Sequence, residues 1–454
     1  MLKPISLLPQ QNHVKEPRTR MLSRLERYFH FAEHQTNWRT EVLAGVTTFV
    51  TMAYIIFVNP TILAQTGMPL AAVTTATCLC AAFGSILMGT IANYPLALAP
   101  GMGLNAYFTY TVVKGMGVPW QTALGAVFLS GCIFLLLTLG GIRQRLVAAI
   151  PHQLHAAVAA GIGLFIAFIG LRESGIIVPS PATTVTLGNM HSPAVLLALF
   201  GIVLTAVLIA YRIKAAMLLG VLTTMLLGIL CGQMHWHPGS LNPLAIKATA
   251  FQLDIRGALH LHALEIIFVF LFVDLFDNIG TLVAVTERAG LIAPDHTIPR
   301  LDKIFFADAT STVVGSLAGT STVTSYIESS SGVAAGGRTG VTAIVTGVLF
   351  FLALFIAPIV GALPEFATAP ALILVGALML AGAARIDWHE PRIAIPAFLT
   401  LIMVPLTYSI ATGLSFGIIS FAALELATGH ARRQHWMLYL LALLFIARFL
   451  WMHA

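Results

Sequence analysis

Glu328 lies in Gly319-Thr-Ser-Thr-Val-Thr-Ser-Tyr-Ile-Glu-Ser-Ser-Ser-Gly332, a run of hydroxyls around one carboxylate inside an otherwise apolar stretch. Such a segment can hydrogen-bond a polar solute, and its carboxylate can also accept a proton. A second group is Asp274, Asp277 and Thr281, set in Phe270-Leu-Phe-Val-Asp-Leu-Phe-Asp-Asn-Ile-Gly-Thr281. The i, i+3, i+7 spacing places them on one stripe of a helix. Each aspartate costs roughly 2.5–3.5 kcal/mol at membrane depth, so two on one stripe predict a polar cavity, with a cap or a helix–helix hydrogen bond as the alternative. The third group is Leu96-Ala-Leu-Ala-Pro-Gly-Met-Gly-Leu-Asn-Ala-Tyr-Phe108. Pro100 fits the first turn of a helix, Gly101 and Gly103 allow close backbone approach, and Asn105 falls about one turn in.

The first and third groups mirror each other: an extended piece, a break, then half a helix. Irregular polar backbone at membrane depth persists only where it is buried in protein or lines a cavity. If the breaks meet, two helix N-termini present free N–H groups at one spot. Asn105, Asp274, Asp277, Ile327 and Glu328 form the candidate substrate-binding set. Carboxylates accept from ring N–H groups and an amide both donates and accepts, which suits a flat heterocycle better than a phosphate or carboxylate. Asp277, Asp308 and Glu328 are the proton-coupling candidates, and Asp308 fits an orienting or structural role equally well.

Other motifs carry less. Gly413-x-Ser415-x-Gly417 has no strand–turn–helix context or triad partner. Gly101-x-Gly103 lacks the third glycine of a dinucleotide loop. With no HExxH, P-loop or CxxC in the sequence, neither enzyme chemistry nor a cofactor is expected. Cys231, His235 and His237 read as a span-end loop rather than a metal site. Cys78, Cys80, Cys132 and Cys231 read as buried thiols outside any disulfide framework. Without an ATP-binding segment, movement of a solute must draw on an ion gradient or be passive.

The elements around these groups follow from composition. The 454-residue chain is 58% hydrophobic and 9% charged, against about 25% charged in a soluble domain. Its repeated continuous apolar runs predict an all-α polytopic membrane protein in a lipid bilayer, and exclude a β-barrel. Fourteen spans are expected from Val42–Leu63 through Ala71–Ala92 to Leu414–Ala427. Two, at Gly101–Val113 and Tyr326–Ala335, are too short to cross alone, and Met437–Met452 is a candidate fifteenth. A basic N-terminal tail, with an amphipathic helix at Met21–Ala32, reads as cytoplasmic rather than as a signal peptide. On that frame Arg143, Arg145, Arg212, Lys214, Arg288, Arg300, Lys303, Arg338, Arg385, Arg392, Arg432 and Arg433 fall inside, and only Lys114, Arg172, Lys247 and Arg256 outside. The net charge of +6 forms no stripe with interleaved aromatics, so no nucleic-acid partner is expected. Shifting the sequence by 226 positions lays Ser85, Gly89 and Ala92 on Ser311, Gly315 and Ala318, and Pro95–Ala99 on Ser321–Ser325. Short interrupted segments at matching places in two halves point to a transporter site, and seven spans per half makes the halves inverted.

Ala99-Pro-Gly-Met-Gly-Leu-Asn-Ala-Tyr-Phe108, Asp274-Leu-Phe-Asp-Asn-Ile-Gly-Thr-Leu282 and Tyr326-Ile-Glu-Ser-Ser-Ser-Gly-Val-Ala-Ala-Gly-Gly-Arg-Thr-Gly340 resemble the azaguanine-resistance-type purine permeases, a branch of the nucleobase–ascorbate transporter superfamily. Glu41-Val-Leu-Ala-Gly-Val-Thr-Thr-Phe49 and Val58-Asn-Pro60 match too. The resemblance implies seven-plus-seven inverted repeats. It implies a core domain over residues 41–140 and 264–361 and a gate domain over 141–263 and 362–428, with a tail at 1–40 and a C-terminal segment at 429–454. It also implies proton symport of a purine nucleobase, adenine or hypoxanthine/guanine, by elevator-like movement across the cytoplasmic membrane. Related carriers imply a homodimer through the gate domains. By the same resemblance Glu328 and Asp277 or Asp274 bind the base beside Asn105. Thr281 stands where uracil carriers have a histidine, which disfavours uracil and leaves the proton to a carboxylate. The alternatives are an anion carrier or other nucleobase carrier of the same architecture, or a passive channel.

Overall fold

The computed structural model describes residues 20–140, 152–236, 243–293, 297–356, 363–429 and 436–452. Residues 1–19, Arg143, Arg145, His237, Arg432 and Arg433 lie outside the described residues.

Apolar runs become helices because, in lipid, each backbone N–H and C=O must be bonded within the chain. The amphipathic helix of the tail is α1, Arg20–Tyr28. The first span comes as two pieces, α2 (Trp38–Met52) and α3 (Ile55–Ala64), rather than one. Asn37 starts α2, its side chain accepting from the Thr40 N–H. There follow α4 (Leu70–Leu87), β1 (Leu98–Pro100), α5 (Met102–Ala106, widening into a π-helical coil over Tyr107–Gly115) and α6 (Trp120–Leu139). Next come α7 (His152–Glu173), a hairpin of β2 (Ile177–Ser180) and β3 (Thr184–Leu187), α8 (Pro193–Ala210), α9 (Ala216–Leu230) and the short α10 (Ile255–Ala258). The second half holds α11 (Leu261–Ala289), α12 (Leu301–Ala318), β4 (Val323–Ser325), α13 (Ser329–Ala334), α14 (Gly340–Ala353), α15 (Glu365–Leu380), α16 (Pro391–Leu406) and α17 (Ile410–Ala427). The chain continues into α18, Trp436–Met452, where the fifteenth apolar run was expected.

The halves meet at the two breaks. β1 and β4 pair antiparallel, with Leu98 opposite Ser325, Ala99 opposite Thr324 and Pro100 opposite Val323. Such a pair carries a local two-fold, so the two halves enter it from opposite directions. The same device anchors each strand. Ser85 Oγ donates to Leu98 O (3.0 Å) and accepts from Leu98 N (2.9 Å). Thr312 Oγ1 donates to Val323 O (3.0 Å) and accepts from Val323 N (3.2 Å). These partners fall within one residue of the 226-position shift read in the sequence.

The helices pack as two groups. In one, α14 packs on α2 and α4, α12 on α4 and α6, and α11 on α6. Gly89 and Gly340 cross within it so closely that a Cβ on either would strike the other's backbone. In the other, α15 packs on α7 and α8, α16 on α7 and α17, and α9 on α8. Against α17 lies α18. Its Arg448 forms an ion pair with Glu265 of α11 and donates to Ser415 Oγ of α17 at 3.2 Å. Tyr439 of α18 donates to Glu425 Oε2 at 2.8 Å.

Candidate functional site

The paired strands are tied beyond their own register. Gly101 N donates to Thr322 O (2.9 Å) and Tyr326 N to Ala97 O (3.0 Å). Ala97 N donates to Ser329 Oγ at 3.0 Å, and the Tyr326 hydroxyl donates to Pro100 O. Pro100 is therefore the last strand residue, not part of a first helical turn. Gly101 is the extended N-cap and the helix begins at Met102. Having no N–H, Pro100 suits a strand end, and Gly101 makes the next backbone bond.

Asn105 is fully buried. Its Nδ2 donates to Asn59 Oδ1 and its Oδ1 accepts from Ser321 Oγ. Asn59 Nδ2 in turn donates to Thr77 Oγ1 (2.7 Å) and Thr320 Oγ1 (3.4 Å). This chain of amides and hydroxyls joins α3, α4, α5 and the approach to β4. A buried polar network that is satisfied in this way fixes the geometry of what it connects. Asn105 thus holds the first break against the second.

Glu328 immediately precedes α13 and is partly exposed. Its Oε1 accepts from the Tyr54 hydroxyl at 2.7 Å, across the division between α2 and α3. Its Oε2 is buried and takes no hydrogen bond from another described residue. Ile327, beside it, is 43% exposed. On α11, Asp277 is partly exposed, whereas Asp274 is 1% exposed. Asp277 lies within electrostatic reach of both Asp308 and Glu328, and Tyr326 within reach of Asp277 and Glu328. The structure therefore places Asp277 near both Glu328 and Asp308, and Asp308 is fully buried. Asp274 and Asn105 lie back in the packing. Thr281 is 9% exposed. Asn278, fully buried next to Asp277, has amide atoms that no described residue hydrogen-bonds.

Sequence reasoning missed Tyr54, Asn59 and Asn278. For Tyr54 there was no local signal, because a tyrosine in an apolar span is ordinary until its partner is known. Asn278 could have been found as a third polar side chain next to two buried acids. Among the described residues no cluster of histidine, cysteine and acidic side chains could hold a metal ion. Cys78 and Cys80 are buried as expected, but Cys231 is exposed at the end of α9, a correction to its reading as a buried thiol. The helix stops there and leaves the thiol outside the packed face.

Inverted halves joined at two interrupted helices, with polar and acidic groups gathered at the interruption, define a polytopic membrane transporter and not an enzyme. Residues 39–416 match the permease family, and the chain belongs to that family. The chain is 47% identical to the guanine/hypoxanthine permease PbuG of Bacillus subtilis, covering 94% of this chain and 100% of that one. It is 45% identical to the adenine permease AdeP of Escherichia coli, covering 95% of this chain and 97% of that one. Among solved structures, the transmembrane domain of the cyanobacterial bicarbonate transporter BicA shares the fold, with a TM-score of 0.61 at 15% identity, covering 84% of this chain and 97% of that domain.

Proposed function

We propose that this permease imports a purine nucleobase, adenine or hypoxanthine/guanine, together with a proton. The observation that carries this reading is the meeting of Glu328, Tyr54 and Asp277 at the paired breaks, in a chain whose relatives are named as purine permeases. A purine edge alternates donors and acceptors. Glu328 and Asp277 accept from ring N–H groups, Tyr54 orients the Glu328 carboxylate, and the exposed face of Ile327 covers the flat ring. Asp274 stands as a reserve acceptor and Asn105 fixes the site's frame. Asp277 lies within reach of both Asp308 and Glu328, and acids placed so resist carrying all their charges at once. One of them takes the coupling proton. The proton neutralises that acid, and the neutral base binds with no change of charge.

The two packed groups support an elevator-type movement, with α2–α6 and α11–α14 as the core that carries the site and α7–α9 and α15–α17 as the gate. The charge asymmetry of the loops supports a cytoplasmic N-terminus in the cytoplasmic membrane. An anion carrier would need a free cation at the site. Arg338, the nearest in sequence, instead donates to Val333 O (2.8 Å) and Gly337 O (2.7 Å), closing the end of α13.

The test is initial uptake of radiolabelled adenine, hypoxanthine and guanine by cells making the chain, with and without a protonophore. Uptake of one base, abolished by the protonophore and by Glu328→Gln, is expected. Wild-type, pH-dependent uptake by Glu328→Gln would overturn the assignment of Glu328.

A further inference from the structure

At the end of the bundle remote from α1, polar side chains from both packed groups converge on Glu173, the last residue of α7. Glu173 Oε1 accepts from Gln65 Nε2 at 2.6 Å and from the Tyr110 hydroxyl. Gln65, just past α3, also reaches Glu365 Oε1 at 3.4 Å, and its own carbonyl accepts from Lys114 Nζ at 2.6 Å. One residue along, Thr111 donates to Tyr408 O, and Arg172 stacks 5.7 Å from the Tyr408 ring. Gln65, Tyr110, Thr111 and Lys114 belong to one group of helices. Glu173, Glu365 and Tyr408 belong to the other. Below Glu173, Ile162 and Ile166 of α7 meet the half-helix at Gly103, where a Cβ would strike Ile162. Ile162, Ile166, Ile169 and Glu173 fall on one stripe of α7. At the other end of the same seam, Lys214 Nζ reaches Thr47 Oγ1 at 3.4 Å.

We propose that Glu173 is a positioning residue for transport: it clasps the outer end of the α5 half-helix to the gate group and so holds the path to the outside closed. The inference rests on the proposed two-body movement and orientation. The half-helix that carries the clasp at Tyr110 begins at the first break, so clasp and site move as one piece. Opening toward the outside must separate Tyr110 and Gln65 from Glu173, because these side chains cannot follow α7 and the half-helix at once. A carboxylate accepting two donors is a stronger tie than neutral hydrogen bonds. Removing it favours the outward-open arrangement by the differential loss in the closed one.

The experiment uses the full-length chain in right-side-out membrane vesicles, with Cys231→Ser to remove the exposed thiol and Ile169→Cys as reporter. Ile169 is 3% exposed, so a membrane-impermeant maleimide reaches that position only when the seam opens. In Glu173→Gln or Tyr110→Phe, labelling from outside is expected to rise roughly tenfold, the scale of one charged hydrogen bond. The double variant should label no faster than the faster single one, since both remove the same tie. Labelling equal to the parent in both single variants overturns the clasp, and Tyr110→Phe, close in shape to the parent, guards against misfolding. Labelling is read without any purine, and uptake is measured on the same vesicles. A rise in labelling without purine uptake would sustain the clasp and sink the substrate reading. Uptake with unchanged labelling would do the reverse.

Discussion

Tyr54 and Glu328 make the sharpest prediction at the scale of single residues. Tyr54→Phe removes one donor from a carboxylate at 2.7 Å and leaves the ring. A hydrogen bond to a charged group is worth about 1.5–3 kcal/mol, so uptake efficiency should fall about tenfold or more. Initial-rate uptake across substrate concentrations would show it, and an unchanged rate would remove Tyr54 from the site. Asp277→Asn is expected to abolish proton-dependent accumulation. Asp274→Asn should cost mainly protein yield, because Asp274 is 1% exposed while Asp277 is partly open. Equal transport loss with normal yield in both would merge their roles. Glu328, Asp277 and Asp308 were legible in the sequence because a charge in an apolar span needs a reason. Tyr54 and Asn59 were not, because each acquires its meaning from a partner tens to hundreds of residues away, such as Glu328 or Thr320.

Among the elements, the paired strands depend on two hydroxyls that occupy equivalent places. Ser85→Ala and Thr312→Val each strip a donor and acceptor from a buried strand residue. Each should cost roughly 1–3 kcal/mol, and by a similar amount if the halves are mechanically alike. Thermal unfolding of the detergent-solubilised protein would test this, and a large effect from one with none from the other would contradict the symmetry. The small-residue repeat announced this region in the sequence. Its register did not emerge to the residue, because three identities among small side chains tolerate a slip that strand pairing does not. The hairpin of β2 and β3 went unforeseen. Its Ile177–Ser180 and Thr184–Leu187 strands are short and lie between spans, where hydropathy says little.

For the molecule as a whole, the helical membrane class and the order of the apolar helices were readable because lipid imposes a length and an apolar character on each crossing. Lipid imposes no such signature on the packing of one span against another, so in the sequence only the family resemblance suggested a division of the helices. The fate of the last apolar run was equally hidden. Helix α18 is about 26 Å long at 1.5 Å per residue, and its Arg448 joins Glu265, near the start of α11, and Ser415, near the start of α17. The α1 end of the chain lies at the opposite pole, where Tyr28 donates to Thr90 O past the end of α4. We predict from this placement that α18 crosses, which makes the number of crossings odd and sets the α1 and α18 ends in different compartments. With the N-terminus in the cytoplasm, a fluorescent protein that matures only there should stay dark when fused after Ala454, and a secreted phosphatase fused at the same point should be active. The reverse pattern would mean that α18 does not cross. For anyone tagging this permease, the choice of terminus decides which side of the membrane the tag reports on.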